Sequence, residues 1–316
     1  MKEINYNAST QMHGDYPRIK KLGACSPYGE MTPFVFGGRL MRLELCDPKL
    51  GVDLSDEHLA TVHALIRDVE TGEVLSRTAY GCYYQSGYLE GDTFYVIGTP
   101  RDKESRAVGR IKIYETRDLL HWEERVLLEK AGWEFFNTSL AKGEEGYVLC
   151  LEVQKTCEDD VGIPFTCYFA TSPDMKVWEF MPYDRAYPKD RYCGGPCMKY
   201  HNGYYYLFLV TALPLARYTN YLVRTKTFEE WEIGFYNPVL MPSPEDRMIS
   251  PRAVDLADAK DFMKTMFNIN NSDIDLCDWQ GKTYINYCVG NQLGKYYICE
   301  AEYDGTVGEF LESFFR

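Results

Sequence analysis

Apolar and polar positions alternate along this chain in short blocks, and one block recurs. Aromatic-rich apolar runs are paired around a polar turn that carries glycine. The block reads "CYYQSGYLEGDTFYVIGT" at 82–99, "NTSLAKGEEGYVLCLEV" at 137–153, "GGPCMKYHNGYYYLFLV" at 194–210 and "DIDLCDWQGKTYINYCV" at 273–289. A shorter version, "TPFVFGGRLMRLEL", precedes them at 32–45. Each is read as two strands joined by a tight turn. The turn residues Gly91, Gly146 and Gly203 lie 55 and 57 positions apart, and Gly281 follows 78 later, so the last unit carries an insertion.

A second pattern alternates with the first. It is a Ser/Thr–Asp/Thr turn followed by tryptophan, in "ETRDLLHWEE" (115–124), "ATSPDMKVWEF" (170–180) and "RTKTFEEWEI" (223–233). Trp122, Trp178 and Trp231 are 56 and 53 apart. "RDVETGEVL" (67–75) fills the slot in the first unit, and "AEYDGTVGEF" (301–310) resembles a tail of the last without its Trp. Five units of about four strands each predict an all-β chain, a five-bladed β-propeller. It is expected to be one domain over 1–316, with an insertion at about 234–270. A pair of β-sandwiches would give no reason for the Trp repeat. Strands covered on both faces lose strict alternation, which suits the Tyr204–Tyr206 run. Helix is expected only in "LADAKDFMKTMF" (256–267) and, more weakly, in "SDEHLATVHALI" (55–66), which turns to strand after Glu57. The insertion is expected to wrap over or beside the central funnel.

Composition narrows the function. The 316 residues are 45% hydrophobic and 15% aromatic, ample for a core. A net charge of −13 argues against nucleic acid or an anionic membrane as partner. No stretch approaches the roughly 18 apolar residues of a membrane span. "MKEINYNAST" has no apolar signal-peptide region, so a cytoplasmic protein is expected. The 11 cysteines are irregularly spaced, and Cys193 and Cys197 lack a second pair or a nearby His for zinc. Reduced, buried thiols are expected. Oligomeric state is not legible.

At "GGPCMKYHNGYYYLF" the chain resembles the five-bladed β-propeller glycosidases, the broad group around glycoside hydrolase family 43. "TSPDMKVW" is similar to that group's Ser-x-Asp-x-x-x-Trp closing strands. The resemblance covers the whole chain as blade rhythm. It implies hydrolysis of a glycosidic bond in a small oligosaccharide or glycoside by paired carboxylates. The family's usual acids sit in Asp-Pro, Ile-Asp-Pro and Glu-Gly-Pro contexts. Here those slots read Thr32-Pro33, Phe136-Asn137-Thr138 and Gly194-Gly195-Pro196. The carboxylates are therefore rearranged around the funnel, or the propeller binds carbohydrate without turnover. A phosphorylase or transferase on the same scaffold is a third reading, which the acidic balance disfavours.

Geometry selects the replacements. Funnel residues come from the starts of inner strands and the ends of the strands after them. Asp273 begins the inner strand of the fifth unit, and Glu152 ends an otherwise apolar second strand, "VLCLEVQ". A desolvated Glu has a raised pKa, as a general acid needs. Asp273 is expected to be the base or nucleophile, Glu152 the acid, and Glu30 in "YGEMTPF" an alternative catalytic carboxylate. Asp275 lies two positions from Asp273, on the same face. Asn137, Asn271, Asn291 and Gln292 are candidate amides for substrate, with Asp102. Arg101 and Arg252 are candidate clamps on hydroxyls or an acidic substituent. Tyr83, Tyr84, Phe135, Phe136 and Tyr192 could stack on sugar. No cofactor is required; a structural Ca²⁺ or other ion in the central channel stays open, with no ligand set legible.

Overall fold

Every glycine turn named above closes a hairpin. The structure, a computed structural model, describes residues 16–47, 55–101, 108–155, 164–215, 217–257, 260–265, 268–291 and 296–316. Five antiparallel sheets of four strands each make up the fold. After β1 (Lys20–Ser26), the first sheet is β2 (Gly29–Phe36), β3 (Arg39–Cys46), β4 (His63–Asp68) and β5 (Val74–Thr78). The second is β6 (Cys82–Glu90), β7 (Thr93–Pro100), β8 (Arg110–Thr116) and β9 (Glu123–Glu129). The third is β10 (Glu134–Gly143), β11 (Gly146–Lys155), β12 (Thr166–Ser172) and β13 (Glu179–Phe180). The fourth is β14 (Cys193–His201), β15 (Tyr204–Leu213), β16 (Arg217–Thr225) and β17 (Glu232–Ile233). In the fifth, β18 (Asn270–Trp279), β19 (Lys282–Gly290) and β20 (Tyr296–Tyr303) are completed by β1. The first strands touch in cyclic order, β2 to β6, β10, β14, β18 and back to β2. This is a five-bladed β-propeller.

The closing strand went unread in the sequence. β1 pairs antiparallel with β20, Lys20 opposite Glu302 and Ala24 opposite Cys299. The segment after β20 is a helix, α3 (Val307–Ser313; the earlier helices are α1, Asp56–Leu59, and α2, Lys260–Thr265), and not a fourth strand. Thr306 caps it, accepting from the Glu309 N–H while the Glu309 carboxylate accepts from the Thr306 N–H. Its buried Phe310 and the following Phe314 pack in the cluster that holds Phe208 of β15.

The second motif is a turn with one repeated geometry. Thr116 Oγ1 accepts from the Leu119 N–H, and Thr225 Oγ1 accepts from the Phe228 N–H. Leu119, Met175 and Phe228 occupy equivalent left-handed positions, with φ of 61°, 60° and 61°. All three side chains are buried. Burying that apolar side chain offsets the roughly 1–2 kcal/mol that a left-handed backbone costs a non-glycine residue. The tryptophans then lie against aromatic neighbours, Trp122 on Phe94 and Trp231 on Tyr187. The tyrosine run serves two blade interfaces. Tyr205 packs on Phe228 in the core shared with the third blade, and Tyr206 joins the core shared with the fifth.

The insertion is a strap around the fifth blade. Ile249 bridges Ala24 in parallel along the outer edge of β1. On one side the buried Asp246 takes Lys21 Nζ at 2.8 Å, Tyr287 Oη at 2.8 Å and Asn271 Nδ2 at 3.1 Å. On the other, Ser250 bonds Glu300, and Asp255 takes Arg67 of the first blade at 2.9 Å. These side-chain contacts of Asp246, Ser250, Arg252 and Asp255 run to the closing and first blades. The described part of the strap therefore lies beside the ring and clamps its closing blade. All ten described cysteines are free thiols, nine of them buried. No helix among the described residues is long and apolar enough to cross a membrane.

Candidate active site

Each inner strand breaks register near its start. The breaks fall at Gly29/Met31, Tyr83/Ser86, Phe135/Thr138, Gly194/Cys197 and Ser272/Asp275. A bulge re-aims the extra residue out of the sheet, and five bulges at one level aim five residues at the axis. The aligned positions are Glu30, Tyr84, Phe136, Gly195 and Asp273. Four of them have positive φ: 40°, 55°, 47° and 49° at Glu30, Tyr84, Gly195 and Asp273. Left-handed non-glycine residues of this kind concentrate at functional sites.

A small cavity of about 30 Å³ lies among these bulges, lined by Glu30, Gln85, Asn137, Gly195 and Asp273. That is the share of one water molecule. Glu152, 2% exposed on β11, completes the floor. Its Oε2 accepts from Asn137 Nδ2 at 2.8 Å and from the Gly195 N–H at 3.1 Å. Glu30 accepts from the Gln85 N–H at 2.9 Å. A Cβ on Gly195 would overlap Asp273 Oδ1, so Asp273 lies directly on that bare Cα. Both acids touch Gly195, and Asp273 Oδ1 and Glu152 Oε2 are therefore within about 8 Å of each other. Gly194 is equally tight: a Cβ there would stand 2.7 Å from Tyr192 Oη and 2.8 Å from Glu152 Oε1. The Gly-Gly pair is the wall against which two carboxylates pack.

The three acids act on each other. Burial, then the charges of Asp273 and Glu152, push Glu30 up to about 8, against the pull of the Gln85 N–H and Arg101. Burial pushes Glu152 up to about 7, opposed by its Asn137 and Gly195 hydrogen bonds and reinforced by the Asp273 charge. Asp273 is raised by burial, and Ser272 opposes this. Burial thus raises all three acids, and the Asp273 charge adds to the rise at both glutamates.

A crescent of aromatic rings stands above this floor. Successive centroids are 6.1 Å apart from Tyr83 to Tyr84, 4.8 Å to Phe136, 5.0 Å to Phe165, 5.3 Å to Tyr192 and 5.5 Å to Tyr218. Phe165 and Tyr218 were not singled out in the sequence, and Phe135 belongs to the core beside Trp133. Arg101 lies over the Tyr83 ring at 4.1 Å and the Tyr84 ring at 5.7 Å.

Other candidates fall elsewhere. Asn271 is fully buried between Lys21 and Asp246. Asp275 is the exception: it lines the same cavity, one layer below the bulges, in an ion pair with Lys199 at 2.7 Å. Arg252 pairs with Glu300 and Glu302 beneath the strap. Asn291 follows the end of β19, next to the start of β18. Asp102 and Gln292 lie outside the described residues. Sequence reasoning also missed a buried pair beside Tyr83, in which His58 Nε2 and Asp47 Oδ1 are 2.8 Å apart. No group of three or more His, Cys, Asp or Glu among the described residues is arranged to hold a metal ion.

No family model matches the sequence, and no curated protein does. Solved structures match the fold. A BT0996–RGII complex aligns with a TM-score of 0.60 at 13% identity, over 95% of this protein and 96% of that one. A thermostable family-43 glycoside hydrolase aligns at 0.59 and 11% identity, over 91% and 93%. A xylan β-1,4-xylosidase from Bacillus halodurans C-125 aligns at 0.57 and 13% identity, over 90% of this protein and 54% of that one. In fold, the protein is similar to the five-bladed propeller glycosidases around family 43.

Proposed function

We propose that this protein is a glycoside hydrolase whose site is the carboxylate floor of the propeller funnel. One observation carries the reading: Glu30 and Asp273, from two blades, line one cavity beneath an aromatic wall, and Glu152 of a third blade is bonded to its lining residues Asn137 and Gly195. Glycoside hydrolysis needs one carboxyl to protonate the leaving oxygen and another to activate water or attack carbon, with separations of about 5–9.5 Å. The upper limit on the Asp273–Glu152 separation is compatible with that range. Asp273, at the bulge that opens the inner strand of the fifth blade, is assigned base or nucleophile. Glu152, held partly protonated near neutral pH, is assigned acid. Glu30 is the alternative acid. The aromatic crescent offers ring faces to the apolar faces of sugars. The fold likeness to glycoside hydrolases, and to a structure described as an RGII complex, supports a carbohydrate substrate.

A panel of 4-nitrophenyl glycosides tests this. Release of nitrophenol by the wild-type protein and its loss in Asp273→Asn supports the reading. Release that survives in Asp273→Asn overturns the assignment of Asp273. Absence of release across a broad panel, with sugar still bound, favours a carbohydrate-binding propeller without turnover.

A further inference from the structure

Among the described residues, Arg101 has no carboxylate partner. Arg42, Arg67 and Arg252 each hold one, on Glu44 or Glu300. Among the described residues Arg101 has no ion pair and no side-chain hydrogen bond, and its buried Nε has no acceptor. Tyr83 and Tyr84 hold the guanidinium by their ring faces instead. Two described acids of this region have other partners. Asp47 is taken by His58, and Glu30 accepts the Gln85 N–H. The guanidinium stands at the funnel wall, close enough for its charge to act on Glu30.

We propose that Arg101 receives the carboxylate of a uronic acid residue, so that the funnel takes acidic rather than neutral sugars. The inference rests on the glycosidase reading for its premise that the occupant is a sugar. A planar guanidinium stacked on an aromatic face offers two parallel N–H donors, which match a carboxylate better than a lone hydroxyl. A hydroxyl would leave the cation's charge uncompensated in a partly desolvated site. The floor does not forbid an anion, because burial keeps Glu30 and Glu152 largely protonated below neutral pH. The stacking surface and the cation share Tyr84, so one sugar can meet both.

Binding without turnover tests the inference separately from hydrolysis. Calorimetric titration of full-length Asp273→Asn compares D-glucuronate and D-galacturonate with D-glucose and D-galactose. A charge-assisted contact predicts affinity about 10–100-fold higher for the uronates. Adding Arg101→Met brings the two classes together, and Arg101→Lys restores part of the difference. Should Arg101→Met not fold, the uronate preference of Asp273→Asn alone still decides. Equal affinity for both classes, or no uronate binding at millimolar concentration, overturns it. So does tighter binding of D-glucose 6-phosphate, which would assign the cation to phosphate. Uronate binding without hydrolysis of any glycoside would leave this inference standing and remove the glycosidase.

Discussion

Asp273 and Glu152 meet across Gly195, which donates its N–H to one acid and offers a bare Cα to the other. The separation of the two carboxylates is thus set by a single residue of a third strand. Gly195 has φ of 47°, and a Cβ there would overlap Asp273. Gly195→Ala should therefore lower kcat on the order of 10²-fold by displacing a reacting group. Gly203→Ala is the control. It also has positive φ, 76°, but no atom within 4 Å of its Cβ position. It should lower the Tm and leave kcat per folded molecule unchanged.

Asp273→Asn and Glu152→Gln should differ in leaving-group dependence. A general acid or base contributes about 10²–10⁴-fold. Asp273→Asn should lose that factor on every aryl glycoside. Glu152→Gln should lose it on poor leaving groups and be nearly silent on 2,4-dinitrophenyl glycosides, which need no proton. An equal loss on both would remove Glu152 from the acid role.

Glu152 also ties stability to pH. Its carboxyl moves from an ordinary 4.5 to about 7 in the fold. Between those values the native state binds more protons than the unfolded one, so its contribution to stability falls as pH rises through that window. The full difference is on the order of 3 kcal/mol. Glu152→Gln should raise the Tm relative to wild type at pH 8.5 and change it little at pH 4.5. Wild-type kcat/KM should fall above about pH 7 as the acid deprotonates.

Asp246 should matter to stability and not to chemistry. Removing one partner of a buried ion pair costs about 3–5 kcal/mol, and Asp246 also anchors Tyr287 and Asn271. Asp246→Ala should lower the unfolding free energy by that amount, read from denaturant titration. Turnover per folded molecule, measured at low temperature, should stay within a few-fold of wild type.

The blades were legible because each repeats its own local chemistry. Glycine turns and Ser/Thr–Asp turns need no distant partner, and their spacing survives as a period. Glu30, Glu152 and Asp273 were legible as positions, since strand starts and ends alternate between the two faces of a propeller. The fates of Asn271, Asp275 and Arg252 were not. Each is engaged by a residue far away in sequence: Lys21, Lys199 and Glu300. β1 was hidden for the same reason, because its pairing partner is at the far end of the chain. The bulges left a trace that could have been used. Glu30, Tyr84, Phe136, Gly195 and Asp273 each stand two positions before Thr32, Ser86, Thr138, Cys197 and Asp275 in the aligned units.

The pairing of β1 with β20 has a consequence for synthesis. A ribosome makes β1 before the other described strands, yet its partner β20 follows all of them. Four blades can assemble from neighbouring hairpins as they appear. The fifth must wait until β20 has emerged, with Lys20–Ser26 without that partner in the meantime. Ring closure then depends on a pairing of very long sequence separation, Lys20 with Glu302, the kind that slows folding. A nascent polypeptide arrested before Tyr296 would be an open ring exposing an unmatched β-edge to any other polypeptide nearby.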